Sequence, residues 1–167
     1  MSTDYSLGDV KVSLAPWERF KEYLQSRGMR VTKPRRTLVD HVFARHEHFD
    51  ADELMDELSS PNAPRRVARA TVYRTLNELV DAGLLRRFNL GGRDVYEHDY
   101  GYPQHDHLHC QECDQLFEFS SEELNRLRDA VAKEYGFRVK GHRMLIDGVC
   151  EKCSKNHRRK KRPVDLI

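Results

Sequence analysis

Between residues 105 and 119 the chain reads HDHLHCQECDQLFEF, where three histidines, two cysteines and two glutamates can each ligate a metal. The cysteines form a hook, Cys110-x-x-Cys113, and an identical hook follows at Cys150-x-x-Cys153. A two-residue spacer lets both sulfurs of a turn face one ion, and two such turns supply four tetrahedral thiolates. Zinc suits that set, because it accepts soft ligands and has no redox chemistry of its own. The hooks use all 4 cysteines of the chain. Four protein ligands leave no open position, so the expected ion is one structural Zn2+ per subunit. Paired redox thiols and inert buried cysteines are the alternatives.

The histidines pose a separate question. In a strand, His105 and His107 share a face, His109 lies one step further along it, and Asp106 points the other way. Glu118, on the strand returning across the turn, would meet that face. Imidazole and carboxylate donors suit Fe2+, Mn2+ or Zn2+. Each of these residues taken singly reads as a surface or hydrogen-bonded group, and spacing alone leaves both readings open for His105, His107 and Glu118. His109 reads as a bystander. Hydrolase or deaminase chemistry is not supported, since the chain has no His-Glu-x-x-His run and no Pro-Cys-x-x-Cys paired with His-x-Glu. The chain is not expected to be an enzyme.

These residues need elements to position them. PWERFKEYLQSRG predicts a helix with Pro16 at its start, Trp17, Phe20 and Leu24 on one face and Gly28 as its stop. TKPRRTLVDHVFARH predicts a second, with Thr32 as N-cap, Pro34 in the first turn, and Leu38, Val39, Val42 and Phe43 inward. DADELMDEL predicts a third, with Asp50 and Glu53 as a capping box over Leu54 and Leu58. SSPNAPRR reads as a loop. RATVYRTLNELVDAGL is the fourth helix, with Val72, Leu76, Leu79 and Val80 at helical spacing and Gly83 at its end. LLRRFNLGGRDVYEHD then gives a hairpin about Gly91–Gly92. Helices followed by a hairpin is the order of a winged helix, with a generic helical bundle and β-flap as the alternative.

The second half changes character. Residues 105–119 predict strand–turn–strand, SSEELNRLRDAVAKEYG a helix capped by Ser120 with Glu123 that carries Leu124, Leu127 and Val131, and FRVKGHRMLIDGVC two short strands. The expected fold class is therefore α+β. Residues 1–97 would be the winged-helix domain, 98–104 a hinge, 105–153 a small α/β domain, and 154–167 a disordered basic tail.

Lys plus Arg number 29 against 27 Asp plus Glu, a formal charge of +2, so bulk charge says nothing of nucleic acid. Its distribution does: RGMRVTKPRR (27–36) and RRVARATVYR (65–74) are basic, while DADELMDE (50–57) is acidic. Within the fourth helix, Tyr73 and Arg74 fall where a helix-turn-helix addresses base edges. Arg69 and Thr71 fall at the helix start, where phosphate binds. Arg35 and Arg36 read as backbone contacts or as solvated charges. With hydrophobic residues at 38% and charged residues at 34%, the core is modest and no run is apolar enough for a membrane span. The first residues carry neither a basic leader nor an apolar stretch, so the cytoplasm is the expected compartment.

HDHLHCQECDQLFEF, the later CEKC and the helix ATVYRTLNELVDAGLL resemble the ferric uptake regulator family of metal-sensing repressors, from about Trp17 to Cys153 and in the same order. The resemblance implies a DNA-binding winged helix, a hinge and a dimerisation domain. It further implies operator DNA and a second copy of the chain as partners. It also implies a regulatory site of His48, Glu97, His105, His107 and Glu118, with His46 competing for the place of His48 and His98 for that of Glu97. Iron(II) is the implied signal, with manganese, zinc or peroxide sensing as alternatives in the same family. Glu118, where the peroxide-sensing branch has an aspartate, leans toward metal. Some members have a further site, for which Asp106 and His142 match two ligands. Gln104 and Asn125 stand where its pattern has histidine and glutamate, with Glu122 or Glu123 as substitutes. Resemblance also places Arg30 in a minor groove. A zinc-ribbon interaction module without DNA binding is the alternative of another class.

Overall fold

Trp17, Phe20 and Leu24 of α1 (Pro16–Ser26) are all buried, as their spacing requires. The computed structural model describes residues 6–7, 10–45, 48–59 and 67–160, with side chains left out at 59 and 156–160. His46, most of the loop SSPNAPRR with Arg65 and Arg66, and the last seven residues of the tail lie outside the described residues. The chain forms two compact units, Asp9–Tyr102 and Pro103 onward. No helix among the described residues is long and apolar enough to cross a membrane.

The first unit packs α1 on α2 (Lys33–Phe43), α3 (Ala51–Ser59) and α4 (Arg69–Asp81). Leu38, Val39, Val42, Leu54, Leu58, Val72, Leu76 and Leu79 fill its core, with Phe43 and Val80 half-buried against them. Thr32 takes the N-cap position of α2 without a side-chain hydrogen bond. The capping box of α3 closes both ways: Asp50 Oδ1 accepts from the Glu53 N–H (2.8 Å), and Glu53 Oε2 accepts from the Asp50 N–H (3.0 Å). Strands β2 (Leu85–Leu90) and β3 (Arg93–His98) form the hairpin. Gly91 and Gly92, at φ 58° and 88°, supply the two positive angles that a two-residue turn of this hand demands. A two-residue strand, β1 (Phe49–Asp50), adds to β3 and completes the sheet order β1-β3-β2. His98 pairs with Leu85, so it belongs to this sheet and not to a connector, and the break between units comes after Tyr102.

The second unit has β4 (Asp106–Cys110) between β5 (Leu116–Phe119) and β6 (Leu145–Gly148). β5 runs antiparallel to β4, and β6 runs parallel to it after the crossover through α5 (Glu122–Glu134).

Three expectations are corrected here. FRVKGHRMLIDGVC yields one strand, because only Leu145–Gly148 reaches the β4 edge. The cap of α5 is Ser121, whose Oγ accepts from the Leu124 N–H, and not Ser120. The tail is helical over Glu151–Lys160, forming α6, where Glu151 in the first turn pairs with Lys155 one turn on.

Candidate metal centres and the α4 surface

The β4–β5 turn presents Cys110 and Cys113, and the start of α6 presents Cys150 and Cys153. The four sulfurs all lie within 4.8 Å of one another. Zinc–sulfur bonds of 2.3 Å in a tetrahedron put neighbouring sulfurs about 3.8 Å apart. Cys113 Sγ and Cys150 Sγ stand 3.9 Å apart, the spacing of ligands around one ion and not of a disulfide. The Cys150 N–H donates to Cys110 Sγ at 3.3 Å and, with the N–H groups of Glu112 and Cys113, draws the Cys110 thiol down to about 6. The Cys153 thiol is pushed up to about 12, chiefly by its hydrogen bond with Cys150 and by burial. Four thiolates this close need a dication among them, and the set fits zinc.

His109 stands just before the first hook. Its Nδ1 meets Asp147 Oδ1 and its Nε2 meets Asp114 Oδ1, both at 2.8 Å. Hydrogen bonds to the two aspartates raise its pKa, Asp147 contributing most. His109 thus ties β4 to β6 and to the cysteine turn, a role that spacing did not reveal.

His105, His107 and Glu118 form a second cluster on the same unit, with one ligand atom of each within 4.8 Å of the others. Register does this work: His107 pairs directly with Glu118 across the β4–β5 ladder. His105 Nε2 lies 3.7 Å from Glu118 Oε1, and the rings of His105 and His107 are 4.7 Å apart. Both histidines are buried. His105 Nδ1 lies 2.9 Å from the Pro103 carbonyl. A carbonyl only accepts, so Nδ1 carries a proton, which leaves Nε2, on the Glu118 side, as the ring nitrogen that a metal would take. The donors fit a first-row divalent ion.

In the first unit, His48 Nε2 lies 3.3 Å from Glu97 Oε2. His48 is half-buried edge-on to Phe88, and Glu97 is buried in β3. β1, the strand that sequence reading missed, begins at the residue after His48. His98 turns the other way, with Nε2 3.1 Å from the Val42 carbonyl and its ring stacked on Phe43 at 4.6 Å. It therefore competes poorly for the place of Glu97.

Asp106 and His142 meet, but in a network of protein groups. His142 Nε2 lies 3.0 Å from Asp106 Oδ2, and Arg128 Nη1 lies 2.9 Å from His142 Nδ1 and 3.0 Å from Asn125 Oδ1. A guanidinium only donates. His142 therefore accepts at Nδ1 and donates from Nε2 to the buried Asp106 carboxylate, whose other oxygen accepts from the Met144 N–H at 2.8 Å. Gln104 Nε2 donates to the His142 carbonyl at 2.8 Å. Glu123 bonds Ser121 and Glu122 pairs with Arg126, so both acidic substitutes are otherwise engaged.

On α4 of the first unit, Arg69 and Arg74 are exposed, and Thr71 and Tyr73 are half-buried. Tyr73 rests its ring against the core and directs its hydroxyl outward. Arg30 is exposed, and its carbonyl accepts from Arg35. Arg35 is not a surface cation: it is buried and pairs with Glu78 at 2.6 Å. A cleft of about 400 Å³ lies between α2 and α4, with Arg30, Thr71 and Arg74 on its walls.

Residues 26–147 match the family model described as the ferric uptake regulator family. The ferric uptake regulation protein of Campylobacter jejuni is 34% identical over 137 residues, covering 82% of this chain and 87% of that protein. The ferric uptake regulator of Vibrio cholerae superposes with a TM-score of 0.64 at 31% identity, over 78% of this chain and 98% of that one. The Pseudomonas aeruginosa regulator, solved with manganese, gives a TM-score of 0.67 at 28% identity, over 78% and 97%. The second cysteine hook lies beyond residues 26–147 that the family model matches, and it is the fold that brings it to the first. The chain belongs to the ferric uptake regulator family, whose members are metal-dependent transcription regulators and not enzymes.

Proposed function

We propose that this protein is a homodimeric, iron(II)-responsive repressor that binds operator DNA and controls metal-uptake genes. The observation that carries the reading is the segregation of two donor sets of different chemistry, four sulfurs in one and His105, His107 and Glu118 in the other. The sulfur set would hold a structural zinc. The second set, together with His48 and Glu97 of the first unit, would hold an exchangeable regulatory ion. A divalent ion supplies there the positive charge that imidazole lone pairs and carboxylates can share. With ligands drawn from both units, occupancy favours the arrangement in which the winged helices fit DNA, and DNA tightens the ion in return. The names of the Campylobacter and Vibrio relatives support iron. Manganese in the Pseudomonas structure supports manganese sensing as the second reading.

Arg69, Thr71, Tyr73 and Arg74 on α4, with Arg30, would meet the duplex. Arg69, Thr71 and Arg30 serve as phosphate or minor-groove contacts, and Tyr73 and Arg74 as base readers. The homodimer is supported by an apolar stripe on the second unit. Leu127 is 62% exposed, Val131 48%, Tyr135 80% and Phe137 71%, a contiguous patch that a lone chain would leave to water.

The test is His107→Ala. Metal-dependent binding to operator DNA should weaken by about 100-fold or more, while the protein stays folded, dimeric and zinc-loaded. Operator binding that remains metal-responsive in the variant would refute the assignment.

Asp106 and His142 would not be ligands in this chain, because the Arg128 guanidinium supplies the positive charge that a third ion would bring. Native mass spectrometry after dialysis against excess zinc should therefore find two ions per subunit. A third equivalent lost on His142→Ala would overturn this.

A further inference from the structure

The N-terminal ends of α3 and α4 face each other across an acidic side chain. Asp52 Oδ1 accepts from the Tyr73 hydroxyl and from Arg69 Nη2, each at 3.0 Å. Arg69 Nη2 also reaches the Tyr73 oxygen at 3.2 Å, and its guanidinium lies over the Tyr73 ring, 5.4 Å from the centroid. Asp56, one turn along α3, adds to the negative field at Arg69. One carboxylate oxygen thus takes the outward polar groups of two of the residues assigned to DNA above.

A carboxylate accepts hydrogen bonds as a phosphate oxygen does and carries the same sign of charge. It cannot remain in place while phosphate approaches the same donors. Its contacts can open: the side chains of Arg69 and Asp52 are 67% and 74% exposed, and exposed pairs of this kind are weak and exchangeable.

We infer that Asp52 sets the affinity of this protein for DNA, holding Arg69 and Tyr73 in the DNA-free state as a substitute for phosphate and releasing them when the duplex arrives. The inference rests on the DNA-binding reading. Asp52 acts chiefly through Arg69, whose contact is with phosphate, so most of its effect falls on every sequence, while the ring of Tyr73 keeps its place against the core. Removing it should raise affinity without touching the metal ligands.

The experiment compares wild type, Asp52→Asn and Asp52→Glu, each loaded with manganese(II). The probes are short fluorescein-labelled duplexes of random sequence and a duplex pool enriched on the wild-type protein. Asp52→Asn should bind both pools about 3- to 10-fold more tightly at low salt, and the advantage should shrink as added salt screens the removed charge. Asp52→Glu should stay near wild type, and thermal melting of Asp52→Asn establishes that it is folded. Equal affinity in a folded Asp52→Asn overturns the inference. So does a loss confined to the enriched pool, which would make Asp52 an orienting group for base contacts. Failure of the wild type to bind any duplex, with or without manganese(II), would instead remove the DNA reading itself and this inference with it.

Discussion

Replacing Cys150 with serine unfolds the second unit and leaves the first intact. The expectation follows from how little that unit buries by itself. Its buried side chains among the described residues are His105, Asp106, His107, Cys110 and Ser121, none of them a large apolar group. α5 has no buried residue, and all four positions of β6 are exposed. A unit this size with so small an apolar core needs another source of order. A structural zinc site supplies apparent folding free energies of about 10–16 kcal/mol in small domains. If the proposed zinc is held there, Cys150→Ser removes one ligand, or prolonged chelation the ion, and with it that term. Circular dichroism should lose the contribution of α5 and the second sheet, and limited proteolysis should cut beyond Tyr102. The proposed dimer should dissociate as well, since the apolar stripe offered as its interface lies on this unit. The first unit has its own core of Phe20, Leu24, Leu38, Val42, Leu54, Leu76 and Leu79, and its melting transition should persist. A zinc-free variant that melts as a single dimeric species at the wild-type temperature would refute this account.

Local chemistry explains which parts of the molecule were legible in the sequence. Apolar residues three and four apart wrote out all four helices of the first unit, and Gly91–Gly92 wrote out the hairpin. The cysteine hooks announced their site because two-residue spacers have few other uses. β1 was missed because two residues carry no period, yet this strand fixes the chain next to His48. The second expected strand of FRVKGHRMLIDGVC failed because a short apolar run says nothing of which edge is open to pair. His105, His107 and Glu118 were visible only as an ambiguity; strand register sets His107 opposite Glu118 and gathers the three donors. Arg128, Asp52 and Glu78 were not visible at all. Their partners lie 14, 21 and 43 residues away, and no local pattern links them. Leu127 and Val131 followed the helical period correctly, but the period does not tell whether the face it defines is covered by the same chain or by a second one.

The Arg35–Glu78 pair gives the second large effect. Arg35 of α2 and Glu78 of α4 stand 2.6 Å apart with side chains 11% and 10% exposed, and Arg35 also donates to the Arg30 carbonyl. Breaking a buried pair from one side leaves the other charge without compensation and costs about 3–5 kcal/mol. Arg35→Met should therefore destabilise the first unit by roughly that amount at neutral pH. The double variant Arg35→Met, Glu78→Leu should recover most of it, because apolar groups of similar volume need no partner. Glu78 adds a pH signature. Burial pushes its carboxyl above the ordinary value of 4.5, outweighing the downward pull of Arg35 and then Arg74. With the folded pKa above the unfolded one, the folded state holds the extra proton between the two values, so this group favours folding as pH falls toward 4.5 and loses that contribution as pH rises through the folded pKa. In Arg35→Met the downward pull is gone, and Glu78 can protonate instead of remaining a lone buried anion. The deficit relative to wild type should shrink between pH 7 and pH 5, as followed by urea denaturation. A deficit that stays constant over that range would place the cost in lost packing of the arginine stem, and not in the uncompensated charge.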